Sequence, residues 1–263
     1  MGLNLPDPDT SRLPHSPLEL VICQIRFDRR LRVGEAPTAL AFHEDLGGSS
    51  GRYQQLDEIE GQQLVISAGP GVEQTSQSRK TSGWKFNSEN GEWIVTLMPD
   101  HVALETTAYT TWDEDFGPRL SEVVKATAKH IQPTMEQRLG LRYVDRISEL
   151  KLTSIGEWSD YIAPELLGLV LHPAIGPEII NLGQQILIGV DDQIQAGVRH
   201  GPVVDAESDY VDYLLDYDLF RQGGRPFEVE SVLETVGQLN RYALQLFHAS
   251  TTEKLLEFLR GQT

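Results

Sequence analysis

Between residues 84 and 109 three consecutive segments alternate apolar and polar residues, and the signals between them are those of tight turns. A strand sends successive side chains to opposite faces, so this pattern is of use only in an antiparallel meander with one face buried. Residues 84–88 and 92–98 flank Asn90-Gly91, a pair that tolerates the positive φ of a type I′ or related turn. Trp93, Val95 and Leu97 share a face, and after Pro99-Asp100 a third strand over 102–109 repeats the alternation. The spacing then lengthens to that of a helix. Leu120, Val123, Val124, Thr127 and Ile131 form one stripe, with Asp115 as its cap, Pro118 in the first turn and a stop near Pro133.

The rest of the chain is read against this segment. Residues 1–17 hold four prolines and no apolar period, which predicts a flexible arm that orders only by docking. A strand is expected near 18–27, a Gly/Ser loop at 47–51, a short strand at 63–67 and a flexible loop over 68–82. Beyond residue 136 the order restarts, with a strand over 141–147, a hairpin of 185–190 and 193–199 around Asp191-Asp192, and a longer strand over 213–220. A long helix follows, striped by Val229, Val232, Leu233, Val236, Leu239, Ala243, Leu246 and Phe247. Ser250-Thr251-Thr252-Glu253 then has the form of a capping box for a last helix. Residues 61–66 echo residues 183–188, each about equally far behind an Arg-containing strand. The expectation is an α+β fold of two similarly ordered halves, 18–135 and 136–263. Each half is expected to be an antiparallel sheet closed by a helix, the two packed as one compact unit.

Composition narrows the function classes. The chain has 263 residues, a net charge of −17 and a single cysteine, Cys23, so no internal disulfide can form. No Cys/His array suits a structural zinc, and the seven histidines lack the i, i+4 spacing that clamps a metal on a helix. The acidic balance disfavours broad nucleic-acid binding, which needs a field of Lys and Arg. The longest apolar runs fall short of a membrane helix, and the N-terminal residues do not resemble a signal peptide, so a cytoplasmic protein is expected.

Four groups of residues invite a chemical reading. Residues 47–51 match Gly-x-Ser-x-Gly, but no strand leads directly into them and no helix stripe follows directly, so they read as a loop. Cys23, inside an apolar strand, reads as a small buried hydrophobe. Asp216 and Asp218 sit two apart on one strand and so face the same way, as a Mg²⁺ pair would require, though no phosphate-binding loop accompanies them. Arg142 and Arg146 likewise share a face, and Arg26 occupies a comparable place in the first strand. These arginines are expected either to pair with carboxylates such as Asp145, Glu19 or Glu105, or to converge on an anionic ligand or an acidic segment of a partner.

Leu18-Glu19 with Cys23-Gln24-Ile25-Arg26-Phe27, the central run Arg138-Leu139-Gly140-Leu141-Arg142-Tyr143-Val144-Asp145-Arg146-Ile147, and Leu214-Leu215-Asp216-Tyr217-Asp218 before a long helix together resemble a sporadically distributed bacterial family of about this length with no assigned function. The resemblance implies a self-contained bacterial protein and brings no catalytic residues; at position 145 relatives often carry Asn. The leading expectation is a non-enzymatic binding or regulatory protein that acts on a protein partner, a basic one being favoured by the net charge. Two alternatives stand beside it. One is a Mg-dependent nucleotide or phosphoester enzyme using Asp216 and Asp218; the other is a sensor of a small anionic ligand held by Arg26, Arg142 and Arg146. No cofactor is expected.

Overall fold

Alternation along the chain is realised as one antiparallel sheet of nine strands in a computed structural model that describes residues 3–69, 72–204 and 208–262, the backbone alone over 61–69 and 72–81. The strands are β1 (Leu18–Phe27), β2 (Gln55–Gly69), β3 (Val72–Asn87), β4 (Trp93–Met98), β5 (His101–Thr106), β6 (Met135–Ile147), β7 (Gln184–Gly189), β8 (Ile194–Val204) and β9 (Val211–Pro226). Their order across the sheet is β2-β3-β4-β5-β1-β6-β9-β8-β7. The expectation of a separate sheet in each half is corrected by the centre of this order. There β1 pairs with β6 in a register that sets Val21 opposite Tyr143 and Ile25 opposite Leu139. Left unjoined, β1 and β6 would each present a row of unpaired backbone groups, and one shared ladder satisfies both.

Helices pack on one face of this sheet. They are α1 (Ala36–Asp45), α2 (Gly117–Ala126), α3 (Pro164–Leu167), α4 (Val229–Ser250) and α5 (Glu253–Leu259). The expected stripe of α2 is buried in full, and π-helical turns at Trp112–Phe116 and Thr127–Ile131 extend it at both ends. Its cap differs from expectation: the Thr111 side chain accepts from the Glu114 amide at 3.3 Å, while Asp115 takes the Arg119 guanidinium at 2.7 Å one turn on. Val232, Val236 and Leu239 of α4 are fully buried against β6 and β9, each contributing about 1.5–3 kcal/mol by leaving water. Thr252, rather than Ser250, caps α5, because the Ser250 hydroxyl donates back to the Leu246 carbonyl inside α4.

Two segments fold where periodicity gave no sign. Helix α1 follows Glu35 with Pro37 in its first turn and buries only Ala39, Phe42 and His43 within its ten residues, too little for a clear stripe. The expected loop over 68–82 is mostly β3, whose backbone pairs with β2 from Gly61↔Thr81 to Ser67↔Thr75. A two-stranded ribbon needs only main-chain bonds, so polar composition does not forbid it.

Residues 3–17 contain no helix or strand and lie against α4 and α5. Leu3, Leu5 and Leu13 pack on the core, Gln245 donates to the carbonyls of Leu5 and Pro6, Arg241 pairs with Asp7, and the His15 ring stacks on Phe258.

Candidate functional site

The face of the sheet turned away from the helices carries the charge. Along β6 the side chains of Leu139, Leu141, Tyr143, Asp145 and Ile147 are buried on the helical face, and those of Arg138, Arg142, Val144 and Arg146 are half-buried on the open one. Asp212, Leu214, Asp216, Asp218 and Phe220 of β9 and Leu20, Ile22, Gln24 and Arg26 of β1 take the same open face. Asp216 is the exception in exposure, since its side chain is only 4% accessible.

A ladder of ion pairs links these residues. Arg142 grips Asp216 with both arms of its fork, Nε to Oδ1 at 2.7 Å and Nη2 to Oδ2 at 2.8 Å, and Arg199 of β8 approaches the same carboxylate at 3.0 Å. Arg146 donates from Nε to Asp212 at 2.7 Å. Arg138 reaches Asp218 at 3.0 Å and lies over the Phe220 ring, 4.7 Å from its centroid. The contacts run diagonally: Arg142 faces Asp218 directly across β6 and β9 yet bonds Asp216, which stands opposite Val144. The hydrogen bonds to Asp216 hold the Arg142 guanidinium above its ordinary pKa.

These contacts bear on the readings of the sequence. Carboxylates do pair with Arg142 and Arg146, and they are Asp216 and Asp212 rather than the Asp145, Glu19 or Glu105 offered as examples. Asp216 and Asp218, the candidate metal pair, both accept from arginine. Among the described residues, no group of three His, Cys, Asp or Glu side chains is arranged to hold a metal ion. Arg26 stands four residues along β1 from Ile22, the residue facing Arg142, so the three candidate arginines spread along the face and do not meet in one pocket. Arg26 is exposed, sits opposite Arg138 on one side and His101 on the other, and has no ion pair among the described residues.

Three members of the ladder are not among the candidate site residues of the sequence. Arg138 lies one four-residue step before Arg142, on the same face by strand parity, and that spacing was the available signal. Asp212 likewise shares parity with Asp216 and Asp218, whereas Arg199 comes from a strand whose pairing with β9 nothing local announces.

The helical face handles charge differently. Glu136 and Arg221 form a buried ion pair at 2.9 Å, with Thr235 of α4 accepting from the same guanidinium. Asp145 is buried on the same face but nine residues further along β6, with neither an ion pair nor a side-chain hydrogen bond among the described residues, and burial, with the Asp216 and Glu19 charges adding to it, pushes its pKa up to about 8. Burial also pushes the Cys23 thiol upward, which suppresses the thiolate a nucleophile would need.

A cavity of about 170 Å³ opens where the arm, the ends of β1 and β6, and α5 meet; Arg146, His15, Glu19, Glu149 and Phe258 line it. That volume suits a few waters or a small ion and is well below the roughly 300–1,000 Å³ of sites for drug-sized ligands. No helix among the described residues is long and apolar enough to cross a membrane. No protein-family model and no curated protein matches the chain.

Proposed function

We propose that the chain is a non-enzymatic bacterial binding protein, cytoplasmic, that engages a protein partner through the open face of its sheet. The observation carrying this reading is the ladder itself. The arginines and aspartates that would have served an anion or a metal neutralise one another in pairs, and between them stand Leu20, Ile22, Val144, Leu214 and Phe220, all only half-buried. A sheet face of half-buried apolar side chains with internally paired charges matches the make-up of protein interfaces better than that of small-molecule clefts. Arg26, without an ion pair among the described residues, supplies a cation at its margin for orientation, and the net charge of −17 draws a basic partner from a distance while disfavouring nucleic acid.

The finer architecture belongs to the same proposal. We read residues 18–135 and 136–263 as two similarly ordered halves meeting at β1 and β6. The supporting facts are the outward orders β1-β5-β4-β3-β2 and β6-β9-β8-β7, in which each half begins at the centre and returns from its edge. The echoing segments 61–66 and 183–188 fall within or immediately before the two edge strands, β2 and β7. Membership in the bacterial family that the central arginine run resembles is part of this reading. A sensor of a small anion remains the second one, favoured by the placement of Arg146 on the cavity wall.

The test compares full-length variants for complexes formed in the protein's own cells. A partner retained by Lys125→Glu on the helical side and lost by Arg26→Glu or Ile22→Glu on the open face is expected. Loss of the partner with all three alike, or Mg²⁺-dependent turnover of a phosphoester abolished by Asp216→Asn, would overturn the reading.

A further inference from the structure

The two edges of the sheet are unlike. Strand β2 carries Asp57, Glu58 and Glu60 in its first half, charges of the kind that keep an edge from pairing with another chain, and is uncharged over 61–69. Strand β7, Gln-Gln-Ile-Leu-Ile-Gly, has no charge and no proline, and one side of its backbone has no neighbouring strand among the described residues. Residues 166–190, which lead into and form this edge, carry one formal charge, Glu178, in a chain where charged residues make up 23%. Large apolar side chains stand open there: Leu187 is 68% exposed and Ile180 87%, with Leu169, Leu171 and Ile175 beside them in the preceding turns. Monomeric proteins rarely leave so concentrated an apolar surface open to water.

We propose that β7 is a self-association edge, pairing antiparallel with β7 of a second copy across a two-fold axis. Charge selects this occupant. Copies of a chain at −17 repel one another over most of their surface, and the β7 edge is where two of them can approach without bringing like charges together. Parity sets the register, because a two-fold axis perpendicular to the sheet keeps helical face on helical face. With the axis at Leu187, Leu187 meets its own copy, Ile186 meets Ile188, and Asp191 and Asp192 fall opposite Gly183 and Leu182 rather than opposite each other. Ile186 and Ile188 are Cα partners of Val198 and Ala196, so the core of each copy continues across the junction. The inference does not depend on the proposed use of the open face, which stays uncovered in such a dimer.

Sedimentation velocity over a concentration series, on the full chain and on two variants, tests it. The wild type is expected to sediment as a two-chain species at the high end, and Leu187→Glu as a single chain with an unchanged melting temperature, since that side chain is exposed. Leu187→Cys is expected to form a disulfide-linked dimer on mild oxidation, the native Cys23 being buried and unable to compete. A single-chain wild type at every concentration would overturn the proposal, as would a dimer that survives Leu187→Glu. An open-ended series of larger species would point to heterologous contacts between unlike edges and would also overturn it.

Discussion

Asp145 and Asp216 come from neighbouring strands at nearly the same level of the sheet, and both are almost inaccessible, yet they lie on opposite faces in opposite electrostatic states. On the open face Asp216 is gripped by Arg142 and approached by Arg199. On the helical face Asp145 is buried with no arginine paired to it among the described residues, and burial raises its pKa to about 8. The difference teaches that burial alone does not set the state of a carboxylate; the arginines within reach do, and strand parity decides which arginines those are. An offset of one residue in the pairing of β6 with β9 separates a charge that helps hold the sheet together from one the fold would rather keep neutral.

The largest effect should come from the helical face. Replacing Glu136 with Ala leaves the Arg221 guanidinium, 7% exposed, without its carboxylate, and is expected to cost about 3–5 kcal/mol in urea unfolding. A loss below 1 kcal/mol would show that water reaches this pair and that the contrast between the faces is smaller than drawn. Asp145→Asn acts with the opposite sign. The folded state raises this carboxyl from 3.8 to about 8, so it binds a proton that the unfolded chain has released, and stability falls as pH rises between those values. The variant is therefore expected to match wild type near pH 4 and to exceed it above pH 8 by on the order of 5 kcal/mol, the separation of 3.8 and about 8 at ~1.4 kcal/mol per unit. Parallel pH profiles for the two proteins would mean that Asp145 has a partner or a solvent path.

How much of this contrast was legible beforehand depended on whether the signal was local. The hairpin at Asn90-Gly91, where Gly91 adopts φ +72°, and the stripes of α2 and α4 could be read because each depends on residues close in sequence. Parity likewise put Arg142 and Arg146 on one face and Asp145 on the other. What local pattern could not supply was which strand lies next to which. The partners of Arg142 and Arg146 are 74 and 66 residues away, on a strand that meets β6 only after the chain has run out to β7 and back. Without that adjacency, Asp216 and Asp218 looked like a metal pair and the arginines lacked their carboxylates. The ribbon of β2 and β3 was missed for a related reason, since main-chain pairing leaves little trace in a run of Ser, Thr and Gln.

Smaller effects sharpen the picture of the open face. Arg146→Ala removes a half-exposed partner of Asp212 and is expected to cost under about 1 kcal/mol, the usual range for accessible pairs. A cost near that of Glu136→Ala would place Arg146 in the core. Smallest of all should be the response to divalent metal: with arginine on both Asp216 and Asp218, Mg²⁺ or Mn²⁺ is expected to leave the melting temperature unchanged. A rise that Asp216→Asn with Asp218→Asn abolishes would favour the enzyme over the binding protein.

The interpretation of the open face rests on Arg142 and Asp216 serving each other and not a ligand, and a double-mutant cycle between them measures that directly. Unfolding of wild type, Arg142→Ala, Asp216→Ala and the double variant in urea should return a coupling energy of about 1–2 kcal/mol, reduced from that of a fully buried pair because Arg142 is partly exposed and Arg199 remains on the same carboxylate. A coupling indistinguishable from zero, with Arg142→Ala as stable as wild type, would contradict it and return Arg142 to the role of a ligand-binding residue.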